Sequence, residues 1–338
     1  KNLLSLSLFL TSLGGIAFLY NPGFMGLYII YGFWGITTIL FFWAALIKAT
    51  RDIAGNNQGF SFGVLEAGRG AVASICASLA VIIYTNNILK DLLNVSFNKE
   101  VSSLSIVIFF YSLITFLSSL MILFFFKDVD NKSIKKAKVS LSQIYNNKRP
   151  ILCISFVVLS AYTGYKSIDY YSLYFYNILN YSLEQSALVV TNLSYLRPVS
   201  AILAGLLADR ISSRYASIIM FSLLISSYIF LSFFNFENSL SFLLYTNFII
   251  SMIAIFAMRG IFYSLLKETN IPVNITGISV GIISLIGYFP DVYIGPIFGY
   301  FLDQNNSINS FQSCFKILLT ISIIGIVSSL YLPYKRNT

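Results

Sequence analysis

The sequence predicts an all-helical integral membrane protein with ten membrane-spanning helices in two related halves. Three features carry this prediction: the composition, a series of long apolar segments, and an internal repeat. Of the 338 residues, 57% are hydrophobic and only 10% are charged, and the mean hydropathy is +0.78. An average soluble domain carries about 25% charged residues because its whole surface meets water. This chain has too few charges for such a surface, so we expect a bilayer as its solvent.

Ten apolar segments each approach the roughly 20 residues that a helix needs to cross a bilayer core. The segments are continuous rather than alternating, and short polar connections separate them, which favours helices over a β-barrel. The predicted spans are residues 4–20, 26–48, 60–85, 103–126, 150–178, 184–208, 214–234, 240–266, 274–301 and 311–333.

The connections between these spans fall into two alternating sets that differ in charge. The basic set contains Lys1, Lys48, Arg51, Lys127, Lys132, Lys135, Lys136, Lys138, Lys148, Arg149, Arg210, Arg214, Lys267, Lys335 and Arg336. The other set contains only Lys90 and Lys99. The positive-inside rule predicts that the basic set, including the C-terminus, is cytoplasmic. The net charge of +9 is therefore mainly a topology signal, and we expect no nucleic-acid partner.

The longest cytoplasmic connection, residues 127–149, predicts a division of the chain into two bundles. The first bundle, residues 1–126, has four spans, and the second, residues 150–338, has six. Within the linker, residues 132–145 are expected to form a short amphipathic helix on the surface.

The two bundles also echo each other in sequence. Two glycine pairs carry the correspondence: Gly59 with Gly277, and Gly63 with Gly281. Such internal repeats are typical of transporter folds. The spacing of the repeat predicts two further helices before Lys1, and therefore a protein of twelve helices.

A polar turn joins the sixth and seventh spans. Its sequence from Gly205 to Arg214, GLLADRISSR, resembles the loop signature of the major facilitator superfamily, G-x-L-a-D-r-x-G-r-[rk]. Ser212 and Ser213 stand in place of the usual loop glycine and its neighbour. The resemblance implies a bundle of twelve helices in two pseudo-symmetric halves, which transports by a rocking, alternating-access motion.

A narrower resemblance concerns residues 58–70 and 258–303. These segments are similar to a branch of bacterial permeases related to the organophosphate:anion antiporters. This resemblance implies a monomer in the bacterial inner membrane.

The turn itself has a readable chemistry. Gly205 allows two helices to approach closely. Asp209 can face the positive N-terminus of a neighbouring helix, while Arg210 and Arg214 neutralise it and meet anionic lipid headgroups. We expect this turn to act as a latch for one arrangement of the bundles; the alternative is an ordinary charged turn.

Ionisable side chains at membrane depth are costly and therefore indicate function. Glu66 and Arg69 are three residues apart and share one helix face, where they can pair. We predict that they form a cytoplasmic gate or a structural network. Direct contact with substrate is the alternative.

Lys166 and Asp169 have the same spacing in the fifth span, within a segment rich in tyrosine that includes Tyr165. We predict that this segment lines the substrate site, where a lysine among tyrosine hydroxyls can bind an anion. A self-neutralised pair of Lys166 and Asp169 is the alternative.

Arg197 is the strongest single candidate for an anion ligand, and Arg259 is a further candidate. Arg197 precedes Pro198, which is expected to kink the sixth span, and has no acidic residue within one turn. Arginine suits bidentate contact with carboxylate or phosphate. Arg259 can bind substrate too, or pair with a carboxylate of another helix.

The segment Gly287–Pro296 is rich in glycine and proline and should interrupt the ninth span. Asp291 follows Pro290 there, and broken helices are where transporters place sites and hinges. We predict either that Asp291 carries a coupling proton or that it anchors Arg197 or Arg259.

Other classes of function find little support. Cys76, Cys153 and Cys314 are far apart and the chain has no histidine, so we expect no metal site, disulfide or cofactor. Motifs of membrane enzymes and the P-loop of ATPases are missing from the sequence. We therefore predict a secondary active transporter of a small, polar, anionic metabolite, coupled to a proton or a counter-anion. A proton-coupled symporter of amino acids or peptides is the alternative, and a channel or non-transporting sensor is a remote one.

Overall fold

A computed structural model describes residues 1–20, 22–55, 57–85, 102–126, 141–234, 241–305 and 307–333. Those residues are helical apart from short turns, which confirms the predicted all-helical class. Within them, nine helices are long and apolar enough to cross a membrane. They match nine of the ten predicted spans. The remaining one is the apolar helix Asn2–Phe18, whose 17 residues lie at the lower limit for a membrane crossing.

Contacts divide the chain into two units. Unit 1 comprises Lys1–Ile53 and Val72–Ala137, and unit 2 comprises Ala54–Ala71 and Lys138–Thr338. Residues 54–71, which the predicted division assigned to the first bundle, thus group with the helices that follow residue 138. Most of the predicted linker, residues 127–140, and with it most of the predicted surface helix, lies outside the described residues.

Unit 1 consists of helices joined by small polar contacts. Its helices are α1 (Asn2–Phe18), α2 (Phe24–Trp34), a π-helical segment (Gly35–Trp43), α3 (Ala44–Ala54), the second half of α4 (Gln58–Thr85), and α5 (Ser103–Phe125). The Ser119 hydroxyl of α5 donates to the Ser5 carbonyl of α1 at 2.8 Å. The Thr11 hydroxyl of α1 donates to the Thr37 hydroxyl at 2.9 Å. Such hydroxyl contacts replace the hydrophobic drive that helices lack inside a bilayer.

Unit 2 holds the first half of α4 and the remaining helices. These are α6 (Leu141–Asn146), α7 (Lys148–Ser167), α8 (Tyr171–Asn177), α9 (Leu183–Ser194), α10 (Leu196–Ile211), α11 (Ser213–Phe233), α12 (Ser241–Ile261), α13 (Leu265–Glu268), α14 (Thr276–Gly287), α15 (Pro290–Asn305) and α16 (Ile308–Leu330). Helix α10 packs along α12, and α7 packs along α14 and α16.

An aromatic cluster forms the core of unit 2. The ring of Phe248 in α12 lies 4.8 Å from Tyr171 and 5.3 Å from Tyr174, measured between ring centroids. Both tyrosines and Phe248 are almost fully buried. Edge-to-face pairs of this kind add about 0.5–1.5 kcal/mol each beyond the area that they bury. They hold α8 against α12.

Two predicted interruptions of the spans are present. Helix α9 ends at Ser194 and α10 begins at Leu196, directly before Arg197 and Pro198. Proline is tolerated there because the first turn of a helix has no intrahelical partners for its N–H groups. In the ninth span, α14 ends at Gly287 and α15 begins at Pro290. Each break places a charged residue at the start of a helix.

Candidate functional site

Small residues bring α4, α10 and α12 close together in unit 2. The backbones of Gly59 in α4 and Gly205 in α10 are in direct contact, which confirms the close approach predicted at Gly205. A Cβ added at Gly63 would lie 2.6 Å from the Ala201 carbonyl oxygen, and one added at Gly260 would lie 2.9 Å from the same atom. These contacts leave no room for larger side chains, and the charged residues adjacent to them on each helix lie close together.

Glu66 lies at the centre of a cluster of three arginines. Its Oε1 atom accepts hydrogen bonds from Arg197 Nε at 3.0 Å, Arg197 Nη2 at 2.6 Å and Arg259 Nε at 2.7 Å. Its Oε2 atom accepts from Arg69 Nη1 at 2.6 Å, which confirms the predicted pairing of these neighbours on α4. We name Glu66, Arg69, Arg197 and Arg259 the Glu66 cluster. It supplies the partners from other helices that Arg197 and Arg259 were expected to need.

The Glu66 cluster carries excess positive charge. Three guanidinium groups, which stay protonated in proteins, face one carboxylate. The side chains of Glu66 and Arg259 are 5% and 4% exposed. Among the described residues, the Nη1 atom of Arg259 is buried without a hydrogen-bond partner. Buried charges are normally paired, so this cluster is suited to accept an additional anion.

Tyrosine rings of α7 cover the arginines. The guanidinium carbon of Arg259 lies 3.8 Å from the ring centroid of Tyr165 and 5.6 Å from that of Tyr162. The corresponding carbon of Arg197 lies 5.5 Å from the Tyr165 ring. Cations over aromatic faces are attracted by the ring quadrupole. Tyr165 therefore fixes the position of two arginines at once.

A second group of charges surrounds Lys166. The Lys166 Nζ atom lies 3.4 Å from Oδ2 of Asp169 and 3.4 Å from Oδ1 of Asp291. The hydroxyl of Tyr162 donates to Asp291, at 3.1 Å to Oδ2 and 3.2 Å to Oδ1. We name these four residues the Lys166 cluster. Its side chains are more open than Glu66, with Lys166 30%, Asp291 45% and Asp169 67% exposed.

The contacts of Lys166 and Asp291 distinguish between the alternatives that the sequence left open for them. The pair of Lys166 and Asp169 exists, but it is not self-contained, because Asp291 joins it. The expectation that Asp291 anchors Arg197 or Arg259 is wrong for the described residues, since its ion pair goes to Lys166. The physical reason is that the carboxylate of Glu66 already lies between the two arginines and contacts both of them.

The turn after α10 binds the ends of neighbouring helices. The two carboxylate oxygens of Asp209 accept from the backbone N–H groups of Gly59, at 2.8 Å, and Phe60, at 2.7 Å. Asp209 therefore faces the positive N-terminus of α4, where a negative charge is favourable. Arg214 donates to the carbonyls of Ser329, at 3.1 Å, and Leu330, near the end of α16. Arg210 is exposed in the last turn of α10.

The sequence did not single out Glu268 and Tyr162 as site residues. Glu268 accepts from the backbone N–H groups of Ser213 and of Arg214, the latter at 3.1 Å, and so caps α11 as Asp209 caps α4. The signal in the sequence would have been an acidic residue directly after Lys267 in a predicted cytoplasmic connection. Tyr162 lies four residues before Lys166, so helical spacing alone places both on one face of α7.

Ser212 stands at the position where the loop signature has a glycine. Its backbone adopts φ 139° and ψ 153°, a region that is essentially reserved for glycine. The turn geometry thus demands a glycine where this chain has serine. The Ser212 hydroxyl compensates in part by accepting from the Tyr215 N–H at 3.2 Å.

Comparison with known proteins agrees with this architecture. The chain is 25% identical over 345 residues to the inner membrane protein YihN of Escherichia coli K12, which covers 97% of this chain and 78% of YihN. It is 24% identical over 348 residues to the inner membrane protein YqcE of the same strain, covering 97% of this chain and 77% of YqcE. An uncharacterized protein of Mycoplasma pneumoniae, the MG294 homolog, is 24% identical over 340 residues, covering 91% and 70%.

The sequence profile of the Major Facilitator Superfamily matches residues 1–292. This match covers most of the chain, including every residue of the Glu66 and Lys166 clusters. The chain is a multi-pass membrane protein that belongs to the major facilitator superfamily, a family of secondary transporters that are generally not enzymes.

Proposed function

We propose that this protein is a secondary active transporter that moves a small anionic metabolite by alternating access. The observation that carries the proposal is the Glu66 cluster, in which three guanidinium groups meet a single carboxylate. A substrate anion supplies the negative charge that the cluster lacks.

The exposure of the cluster gives a route for binding. Arg69 is 35% exposed and Arg197 is 13% exposed, whereas Arg259 is 4% exposed. An anion can first contact Arg69 and Arg197 and then reach the unpartnered Nη1 atom of Arg259. Guanidinium groups match carboxylate and phosphate oxygens in a bidentate manner. The cluster therefore favours an anion over a neutral sugar.

Glu66 also links substrate binding to helix motion. It connects α4, on which it lies, to α10 through Arg197 and to α12 through Arg259. An incoming anion competes with Glu66 for the same donors. Binding would thus loosen α4 from α10 and α12, which is the differential interaction that a two-state switch requires. Glu66 and Arg69 act as gate residues in this proposal.

The helix-capping contacts around the α10–α11 turn support the proposed alternating-access transport. Asp209 holds the N-terminus of α4, Glu268 holds that of α11, and Arg214 holds the end of α16. We infer that these contacts stabilise the arrangement of the helix ends that the structure shows. They suit a latch that opens and closes during transport, with Arg210 directed to lipid headgroups.

The finer assignments follow from the relatives and the charge pattern. The relatives YihN and YqcE are inner membrane proteins, and we infer the bacterial inner membrane for this chain, as a monomer. The positive-inside rule favours a cytoplasmic C-terminus. The similarity to the organophosphate:anion antiporter branch agrees with an anionic substrate and with exchange against a counter-anion.

A second candidate is a proton-coupled symporter of amino acids or peptides. The observation that favours it is the Lys166 cluster, where two exposed carboxylates share one lysine. Asp291 or Asp169 can take up a proton there. Lys166, Tyr165 and Asp169 would then contact substrate in either candidate.

Counterflow in proteoliposomes tests the transport function. Vesicles containing the purified protein are loaded with an unlabelled compound, and uptake of the same labelled compound is followed. The compounds are inorganic phosphate, sugar phosphates, dicarboxylates, amino acids, short peptides and neutral sugars. We expect transient labelled accumulation with an anion, and none in protein-free vesicles. Counterflow with neutral sugars alone would contradict the anionic assignment, and its absence with every compound would contradict a carrier.

A further inference from the structure

The charges of the two clusters have opposite signs. The Glu66 cluster holds three arginines and one carboxylate, so its net charge is positive. The Lys166 cluster holds one lysine and two carboxylates, so its net charge is negative. A ligand that contacts both clusters therefore carries opposite charges at its two ends, with the negative end at the arginines and the positive end at the carboxylates.

Tyr162 connects the two clusters directly. Its hydroxyl donates to Asp291, and its ring centroid lies 5.6 Å from the guanidinium carbon of Arg259. The ring of Tyr165 lies 5.7 Å from that of Tyr162 and covers the same arginine. Tyr162 thus contacts a guanidinium group of one cluster and a carboxylate of the other. A ligand with a short carbon chain can reach both.

Resting on the proposed function, we propose that the substrate is an amine-bearing anion. Its acidic end, with about two negative charges, binds the arginines of the Glu66 cluster. Its ammonium group binds Asp169 and Asp291 in the Lys166 cluster. The charges of the ligand then complement those of the two clusters, end for end.

The geometry around Lys166 favours an ammonium over a hydroxyl group. Both distances from Lys166 Nζ to the carboxylates are 3.4 Å, longer than the roughly 2.7–2.9 Å of a strong charge-assisted hydrogen bond. The two carboxylates are also the most exposed members of the cluster. Ionised carboxylates only accept hydrogen bonds, and an ammonium offers three donors together with the missing positive charge. A hydroxyl group offers one donor and no charge.

The same geometry disfavours a simple dianion. An unsubstituted dicarboxylate or alkylphosphonate would satisfy the arginines but leave Asp169 and Asp291 with one lysine between them. A dianion with acidic groups at both ends would face repulsion from these carboxylates. The amine is therefore the group that distinguishes the expected substrate from its analogues.

Two matched series of ligands test this inference on the purified protein in detergent. One series is 3-aminopropylphosphonate, 3-hydroxypropylphosphonate and propylphosphonate. The other series, one carbon shorter, is 2-aminoethylphosphonate, 2-hydroxyethylphosphonate and ethylphosphonate. The pH is set so that the acidic groups are ionised and the amine is protonated. Apparent affinity is obtained from the rise of the unfolding midpoint with ligand concentration, which follows mass action.

We expect the amine in at least one series to bind about tenfold more tightly than its hydroxyl and unsubstituted analogues, as a charged hydrogen bond implies. Equal stabilisation by all three members of each series would overturn this inference but leave the anionic function standing. Stabilisation by neither series would overturn both.

The variant Asp291→Asn locates the amine contact. We expect it to reduce the preference for the amine to less than about twofold, because the ammonium loses one carboxylate partner and the unsubstituted anion loses a source of repulsion. Asp303→Asn, on the same helix and outside both clusters, is the matched control and should keep the preference. Retention of the preference in Asp291→Asn and also in Asp169→Asn would overturn the assignment. If either variant does not fold, the comparison of the amine with its analogues on the unaltered protein still tests the preference for an amine.

Discussion

Arg259 donates from Nε to Oε1 of Glu66 at 2.7 Å, across a sequence separation of 193 residues. The same oxygen accepts two further hydrogen bonds from Arg197. A single buried carboxylate atom thus receives three charge-assisted hydrogen bonds, each stronger than its neutral counterpart. This arrangement makes Glu66 the group on which the arginine positions depend.

Removal of the Glu66 carboxylate should lower the stability of the protein. In Glu66→Gln the amide keeps the shape of the side chain, but three arginines lose their counter-charge. We expect the free energy of unfolding to fall by about 3–5 kcal/mol, as for other broken buried ion pairs. This loss should be seen as a lower unfolding midpoint in detergent. Inorganic phosphate should recover part of the loss by replacing the carboxylate.

The matched control for that variant is Asp303→Asn, which also exchanges a carboxylate for an amide but lies exposed near the end of α15. It should leave the midpoint within about 0.5 kcal/mol of the unaltered protein. A Glu66→Gln protein as stable as this control would show that the arginines do not need Glu66.

The contact between Tyr165 and Arg259 depends on the face of the ring. Because the guanidinium carbon lies 3.8 Å from the ring centroid, the aromatic system and not the hydroxyl provides the attraction. Tyr165→Phe should therefore keep stability and anion binding. Tyr165→Leu should lose about 0.5–2 kcal/mol of stability, measured by thermal unfolding. A larger loss in the phenylalanine variant than in the leucine variant would assign the role to the hydroxyl instead.

Asp209 acts on the N-terminus of α4 through two backbone N–H groups. Asp209→Asn retains one acceptor oxygen and loses the charge that the helix end favours. We expect the free energy of unfolding to fall by about 0.5–2 kcal/mol, which is typical of a removed helix cap. We also expect an altered rate of counterflow in proteoliposomes. Asp303→Asn is again the control for the change of charge. Unchanged stability and unchanged rate would leave the contact without a role as a latch.

The strained backbone of Ser212 predicts a stabilising substitution. With φ at 139°, serine pays a conformational cost that glycine avoids, while the lost hydroxyl cap matters little because glycine is itself tolerated at such positions. Ser212→Gly should raise stability by about 1 kcal/mol, within the usual range for such strain. Ser213→Gly, at the next position and without a positive φ, should not. A lower midpoint for Ser212→Gly would mean that the hydroxyl outweighs the strain.

Much of the fold was accessible from the sequence, for physical reasons. Membrane spans are long because the bilayer core is thick, and Gly287 and Pro290 mark the broken span because they interrupt helices. Glu66, Arg197 and Arg259 stood out because a charge at membrane depth is expensive. The local pair of Glu66 with Arg69 followed from helical spacing alone.

The partners between distant helices were not accessible. The rotation of each helix about its axis decides that Arg197 meets Glu66, 131 residues away, and that Asp291 meets Lys166. One sequence contains no signal for that rotation. Glu268 escaped notice because an acid in a polar turn carries no membrane penalty, and only the position of α11 reveals that it caps a helix.

Anion binding by the arginines around Glu66 is tested by ligand-induced thermal stabilisation of the purified protein and of its Arg197→Lys and Arg197→Ala variants. The ligands are inorganic phosphate, sugar phosphates, dicarboxylates, sugar acids, amino acids and neutral sugars, and Arg149→Lys, at an exposed position, is the control. We expect stabilisation by anionic ligands in the unaltered protein and in the control. We expect a weakened effect in Arg197→Lys, because lysine lacks the planar fork, and its loss in Arg197→Ala. Stabilisation by neutral sugars alone, or an undiminished response of both Arg197 variants to anions, would contradict the assignment of the arginines around Glu66 to substrate binding.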